Sequence, residues 1–361
     1  MKPAAPKISV LISAYNAESY IEEAVNSVLA QSLDDFELLV MDDGSRDGTY
    51  DRLRAITHPR IAVFRQENAG KSVALNALID KATGRYLTIL DADDACDRDR
   101  LKVLAGLLDN NPHLGLVQSG YALILDQGIC APRRTRYDEI HCKRRIGSFQ
   151  MPALDPTMMV RMELAKRFKF DEELRIGQGL DFILKVGEVS DIRVSPEPLY
   201  HYRFHFNSIT KTKAAEKAQY LLKTINKARA RRGLAALAMS DYLRSNPHQA
   251  GDKLNNLSGH FVDSAYWSVV DGRRSESRKT ALIALKWFFR SGDFKFLKPW
   301  VYALFPLVVT ARLRQGVQTG HSDEIIHSDC QLQHQANDAG VPGVGLSGNQ
   351  SRFHRGHSDR Q

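Results

Sequence analysis

The chain predicts an α/β fold, a mostly parallel sheet flanked by helices, followed by a helical extension. Three observations carry this. Short apolar runs rich in β-branched residues alternate with stretches whose apolar residues recur every three or four positions. Several of the runs end abruptly in polar or acidic residues, as in Leu87-Thr-Ile-Leu-Asp91-Ala-Asp93-Asp94. From about Ala214 the composition shifts to Ala, Leu, Lys and Arg at helical spacing.

Taken in order, Ile8 to Ser13 reads as a buried strand, Ala14-Tyr15-Asn16 as a turn, and Ser19 to Gln31 as a helix with Ile21, Ala24, Val25, Val28 and Leu29 on one side. Phe36 to Met41 is the second strand, and Asp47-Gly48-Thr49 supplies capping residues for the next helix. Ile61 to Arg65 is a third strand, Ser72 a candidate N-cap for a helix over Val73 to Ala82, and Leu87 to Leu90 the fourth strand. A helix is expected over Asp97 to Asp109, then further strand over Leu114 to Leu125. Strands alternating with helices imply right-handed crossovers in a mostly parallel sheet.

The 361 residues are 43% hydrophobic and carry a formal net charge of +8. That length holds one large or two smaller domains with a sizeable core, and the charge points to an anionic partner such as a nucleotide or a membrane surface. No basic motif interleaved with aromatics is present, so nucleic acid is not expected. Cys96, Cys130, Cys142 and Cys330 lack metal or redox spacing and fit a reducing compartment. The N-terminus has no secretory pattern and no run is long enough to span a bilayer, so a cytoplasmic location is expected, with room for peripheral attachment to the inner membrane.

Parallel strands deliver Ser13-Ala14-Tyr15, Asp42-Asp43 and Asp91-Ala92-Asp93 to one edge of the sheet, where ligands of open α/β sheets sit. An aromatic face can stack a base, a carboxylate can accept from its N–H groups, and Asp91 with Asp93 could share one hard divalent cation. An isolated Asp-x-Asp is more often a solvated turn. Neither the dinucleotide-binding glycine pattern nor a P-loop occurs, which also weakens a nucleotidyltransferase reading.

Ile8 to Asn16, Val40-Met-Asp-Asp-Gly-Ser45, Glu67-Asn-Ala-Gly70, Ala74-Leu-Asn76 and Leu90-Asp-Ala-Asp-Asp94 occur in order and at natural spacing. Together they resemble the successive blocks of family 2 glycosyltransferases, over roughly residues 7 to 210. The resemblance implies a GT-A fold and a nucleoside diphosphate sugar donor, most often a uridine diphosphate sugar. It implies that Ser13 and Tyr15 line the base pocket, that Asp43 meets the uracil and that Asp91 lies near the ribose or sugar. Asp93, with Asp91, would hold Mg²⁺ or Mn²⁺ against the diphosphate. Lys71 and Arg65 are weaker candidates for the donor's negative charge.

The match departs from the family at Gly177-Gln178-Gly179-Leu180-Asp181. Relatives commonly carry Glu-Asp-x-Asp there, with the first Asp as base, and an ungapped alignment puts Gln178 and Gly179 on the acidic pair. Three readings follow: Asp181 serves as the base, the base comes from elsewhere, or the chain binds sugar nucleotides without turning them over. Asp181 is the reading preferred from the sequence. Pro152 to Val160 resembles the segment that approaches the acceptor. Tyr200 to Thr210 resembles the family's Tyr-Arg-x-His-x-x-Ser ending, so Arg203 and His205 would face the leaving diphosphate.

These readings divide the chain into a catalytic domain over 1–212, a helical and membrane-associating extension over 213–314, and a loose tail over 315–361. Lys279 to Arg290 and Phe294 to Val309 mix basic and bulky apolar residues, as interfacial helices do. The expected reaction is an inverting hexose transfer to a saccharide or lipid-linked oligosaccharide acceptor, in bacterial exopolysaccharide or other surface-glycan assembly.

Overall fold

A computed structural model describes residues 5–125, 128–204, 214–245 and 253–304. The chain runs β1 (Ile8–Ala14), α1 (Ile21–Leu29), β2 (Phe36–Asp43), α2 (Thr49–Ala55), β3 (Ile61–Gln66), α3 (Lys71–Lys81), β4 (Tyr86–Ile89), β5 (Ala95–Cys96) and α4 (Arg100–Asn110). There follow β6 (Leu114–Leu125), β7 (Gly128–Arg133), α5 (Glu139–Gly147), β8 (Met159–Arg161), α6 (Met162–Phe168), α7 (Gln178–Gly187) and β9 (Asp191–Arg203). The extension holds α8 (Ala214–Arg231), α9 (Met239–Ser245), α10 (Lys253–Val270), α11 (Arg274–Ser291) and α12 (Lys298–Leu304).

The strands form one sheet in the order β3-β2-β1-β4-β8-β6-β9-β5, with β7 paired to β6. The pairs β1–β2, β1–β4, β2–β3 and β6–β9 are parallel. Because β8 is antiparallel to both β4 and β6, β3, β2, β1, β4, β6 and β9 all point the same way.

Successive strand residues serve opposite faces of the sheet. Val10 and Ile12 of β1 join Val25, Val28, Leu101 and Leu104 of α1 and α4 on one face. Leu11 joins Leu75, Leu78, Phe182 and Ile183 of α3 and α7 on the other. Covering both faces explains the continuous apolar runs of β1, β2 and β4, since alternation would bury polar residues.

Two local expectations change. Helix α3 starts at Lys71 after Gly70, not after Ser72, whose hydroxyl lies inside the helix and donates to the Leu174 carbonyl at 3.5 Å. Helix α4 starts at Arg100 because Ala95 and Cys96 are drawn into pairing with Tyr200 and His201 of β9. In the extension, α10 and α11 pack Leu257, Phe261, Ala284 and Trp287 against Leu123, Leu125 and Ala131 of the β6–β7 hairpin. Helix α8 is tied to the preceding domain by Lys227 to Asp171 at 2.5 Å and Arg231 to Glu188 at 2.9 Å.

Candidate active site

The parallel neighbours β2, β1 and β4 bring their carboxyl ends to one rim, with Ala14 in register with Asp42 and the Leu90 N–H donating to the Leu11 carbonyl at 3.0 Å. Ser13 is half-buried there and Tyr15 is exposed. Asn16 turns the chain with a φ of 51°, a left-handed geometry that Asn tolerates. Its backbone N–H donates to Ser45 Oγ at 3.0 Å, and its Oδ1 accepts from the Arg46 N–H at 2.9 Å. The β1 and β2 turns are therefore one tied unit.

Asp43 is 2% exposed. Its carboxylate accepts from Gln66 Nε2 at 2.7 Å and from the Ala69 and Gly70 N–H groups at 2.9 and 2.8 Å. It thus shapes the 68–70 turn that opens α3. Gly44, at a φ of 72°, lets that turn approach, since a Cβ there would lie 2.6 Å from the Asn68 nitrogen. Asp42 is fully buried, with Arg65 Nε 3.1 Å from its Oδ2.

The turn after β4 carries the remaining acids. Asp94 is buried, accepting from Tyr200 Oη at 2.6 Å and from the Arg203 N–H at 2.7 Å. Burial pushes the Asp94 carboxyl well above the usual carboxylate range, and the charges of Asp91 and Asp93 push it further. Arg203 Nε donates to the Asp93 carbonyl at 2.7 Å and its Nη2 to Glu23 at 2.6 Å, with the guanidinium over the Tyr20 ring. Lys71, first residue of α3, reaches Asp91 Oδ1 at 2.6 Å. Burial works against the Lys71 charge, but Asp91, Asp155 and Asp94 outweigh it and raise its pKa.

Beneath this turn lies Arg100, fully buried. Its Nη2 donates to Thr88 Oγ1 at 2.9 Å, the Ile89 carbonyl at 3.0 Å and the Pro156 carbonyl at 2.6 Å. The end of β4 and the 152–157 loop are therefore fixed to each other, and Asp155 on that loop enters the same electrostatic neighbourhood. Burial raises the Asp155 pKa, Lys71 opposes that and Asp91 adds to it.

Ser13, Tyr15, Asp43, Lys71, Asp91, Asp93 and Arg203 thus sit on adjoining strand and helix ends. Asp181, the base expected from the sequence, is held in ion pairs of its own. It is fully buried, with Lys185 at 2.6 Å and Arg231 at 3.0 Å. The i, i+4 spacing to Lys185 and the packing of α8 on α7 make that carboxylate an internal counter-ion. His205 lies outside the described residues. Arg100, Tyr200 and Asp155 were not singled out from the sequence. Tyr200 stood in the recognised ending and Asp155 in the segment resembling the acceptor approach, whereas Arg100 gave no local signal.

The family model described as "Glycosyl transferase family 2" matches residues 9–172. The chain is 31% identical over 246 residues to the "Putative teichuronic acid biosynthesis glycosyltransferase TuaG" of Bacillus subtilis, covering 62% of this chain and 89% of that one. The chain belongs to glycosyltransferase family 2.

A second similar protein is the "Uncharacterized glycosyltransferase EpsJ" of Bacillus subtilis, 30% identical over 219 residues, 57% of this chain and 63% of that one. Among solved structures, S. aureus TarS 1-349 in complex with UDP-GlcNAc aligns with a TM-score of 0.54 at 20% identity, covering 86% of this chain and 92% of TarS 1-349. The mannosyltransferase PcManGT from Pyrobaculum calidifontis, in complex with GDP-Man and Mn²⁺, aligns at 0.50 and 20% identity, covering 84% and 88%. At these identities the likeness is one of fold, and this family 2 glycosyltransferase has the GT-A fold. As a member of the family it is a sugar-transferring enzyme.

Proposed function

We propose that this glycosyltransferase moves a hexose from a nucleoside diphosphate sugar, a uridine diphosphate sugar in the simplest reading, to an acceptor hydroxyl. The carrying observation is the shared rim on which the β1, β2 and β4 ends hold Tyr15, Asp43 and the Asp91–Asp94 turn beside Lys71. Ser13, Tyr15 and Asp43 bind the nucleoside, Asp91 the ribose or sugar, and Lys71 and Arg203 the diphosphate. Adding charge to the departing phosphates favours fixed cations aimed at them.

The residues present fit a divalent cation. Asp91 and Asp93 offer carboxylate oxygens, which suit Mg²⁺ or Mn²⁺, and their mutual charge already lifts the buried Asp94 carboxyl. No group of three or more potential metal-holding side chains occurs among the described residues. When bound, the ion neutralises charge on the leaving diphosphate. With a carboxylate base and no nucleophile evident, one inverting displacement is the simplest scheme.

The acceptor is proposed to be a saccharide or lipid-linked oligosaccharide of a surface glycan, in line with the teichuronic acid biosynthesis for which TuaG is named. Among the described residues no helix is long and apolar enough to cross a membrane. Phe289 and Phe294 are nevertheless 77% and 74% exposed on the basic α11–α12 corner, which supports peripheral attachment. The test is release of the nucleoside diphosphate from a panel of UDP-sugars with Mn²⁺ and membrane lipid extract. Turnover of one donor supports the assignment. Binding without turnover of any donor would favour a sugar-nucleotide binder, and neither binding nor turnover would sink it.

A further inference from the structure

We propose that Asp155 is the general base that takes the proton from the acceptor hydroxyl, an inference resting on the sugar-transfer reading above. The resemblance drawn from the sequence implies a base at Gln178-Gly179 at the start of α7, and neither residue can accept the proton. The space beside Gly179 is filled from elsewhere in the chain. A Cβ built on Gly179 would stand 2.0 Å from Asp155 Oδ2 and 2.5 Å from its Cβ and Cγ. The Asp155 carboxyl therefore occupies the room that any side chain at position 179 would need.

The other acids near the rim have other partners or, like Asp93, are assigned to the cation. Asp43 holds the 68–70 turn, Asp91 faces Lys71, Asp94 faces Tyr200 and the Arg203 N–H, and Asp181 is sealed between Lys185 and Arg231. No side chain among the described residues donates a hydrogen bond to the Asp155 carboxyl, and residue 155 is half-buried. Its backbone is nonetheless held firmly. Gln118 Nε2 donates to the Ala153 and Leu154 carbonyls at 3.1 and 2.9 Å, and Arg100 holds the Pro156 carbonyl. The same guanidinium holds the Ile89 carbonyl, two residues before Asp91. A base so mounted keeps a fixed position relative to the donor's proposed seat, as proton transfer requires.

The step balances without a further reagent. The acceptor hydroxyl oxygen forms its bond to the anomeric carbon while the bond from that carbon to the diphosphate oxygen breaks. The diphosphate leaves with the electron pair, and the hydroxyl proton passes to Asp155.

The test compares the wild type, Asp155→Asn and the double exchange Asp155→Gly with Gly179→Asp. The readout is UDP release from the UDP-sugar that the wild type turns over, with water or lipid extract as acceptor. Asp155→Asn is expected to lower kcat by about 10²- to 10⁴-fold with the donor KM within about twofold, since the donor's own contacts are untouched. The double exchange is expected to regain at least about tenfold over Asp155→Asn, because a carboxylate returns to the vacated space; a purely structural role would show no such rescue. An active wild type with an equally active Asp155→Asn overturns the inference and leaves the sugar-transfer reading standing. A wild type that neither binds nor turns over any donor overturns both. Should Asp155→Asn fail to fold, Asp155→Gly takes its place: turnover lost in it and regained on adding Gly179→Asp supports the inference, and turnover retained in Asp155→Gly rejects it.

Discussion

Lys71 Nζ lies 2.6 Å from Asp91 Oδ1, joining the first residue of α3 to the acid that follows β4. Their side chains are 34% and 26% exposed, so the pair contributes about 0–1 kcal/mol to the fold. Helix α3 is held instead by buried Ala74, Leu75, Leu78 and Ile79, where each large aliphatic side chain contributes about 1.5–3 kcal/mol. The ion pair is therefore dispensable to folding and available to a ligand. Lys71→Met is expected to leave the melting temperature within about 3 °C and to weaken UDP-sugar binding at least about tenfold. Thermal unfolding and calorimetric titration check both. An unchanged affinity would remove Lys71 from the donor site.

Asp181 should behave in the opposite way. Removing its charge leaves Lys185 and Arg231 without their buried partner, a loss on the order of 3 kcal/mol. In denaturant titrations Asp181→Asn should unfold earlier while turnover per folded molecule stays within about threefold. A stable variant with turnover reduced a hundredfold would restore Asp181 as the base.

The docking of α10 carries a pH signature. His260 is buried, with its Nε2 at the Ala131 carbonyl and its ring 5.2 Å from that of Tyr121. Burial and then the Arg133 charge push its pKa down to about 3, while Asp263 pairs with Arg133 at 3.1 Å. The folded protein keeps His260 neutral where the unfolded chain, with a pKa near 6.5, binds a proton. His260 thus adds stability that is fully present above about pH 6.5 and is lost as pH falls toward 3. His260→Gln should remove up to about 1.4 kcal/mol per pH unit from the slope of unfolding free energy over that window. Identical slopes in both proteins would contradict the assignment.

Membrane attachment predicts a graded loss. Phe289→Ser with Phe294→Ser removes two exposed rings without touching the Trp287–Phe296 stack inside. Flotation with vesicles containing anionic lipid should fall several-fold for the double variant. Equal flotation, or none by the wild type, would leave those rings without this role.

How much of this was legible in the sequence follows from the range of the forces involved. β1, β2 and β4 could be read directly because strands covered on both faces carry near-continuous apolar runs, and the acid tips of β2 and β4 are contiguous with them. β8, at three residues, is too short to leave a pattern and exists through its two neighbours. The late start of α4 depends on pairing with β9, about a hundred residues away. Sequence gives the spacing of the Asp181 carboxylate but not the cations that close over it, one of them from α8. Asp155 lay within a segment singled out from the sequence, but its own role rests on a contact with Gly179 that no local pattern records.

The most direct measurement is calorimetric titration of the turned-over UDP-sugar into the wild type and Asp93→Asn, each with and without Mn²⁺. Binding by the wild type that needs the ion, and a loss of at least about tenfold in Asp93→Asn, is the expected result. Equal affinity in all four titrations would contradict a donor and cation held together on the acid-tipped rim.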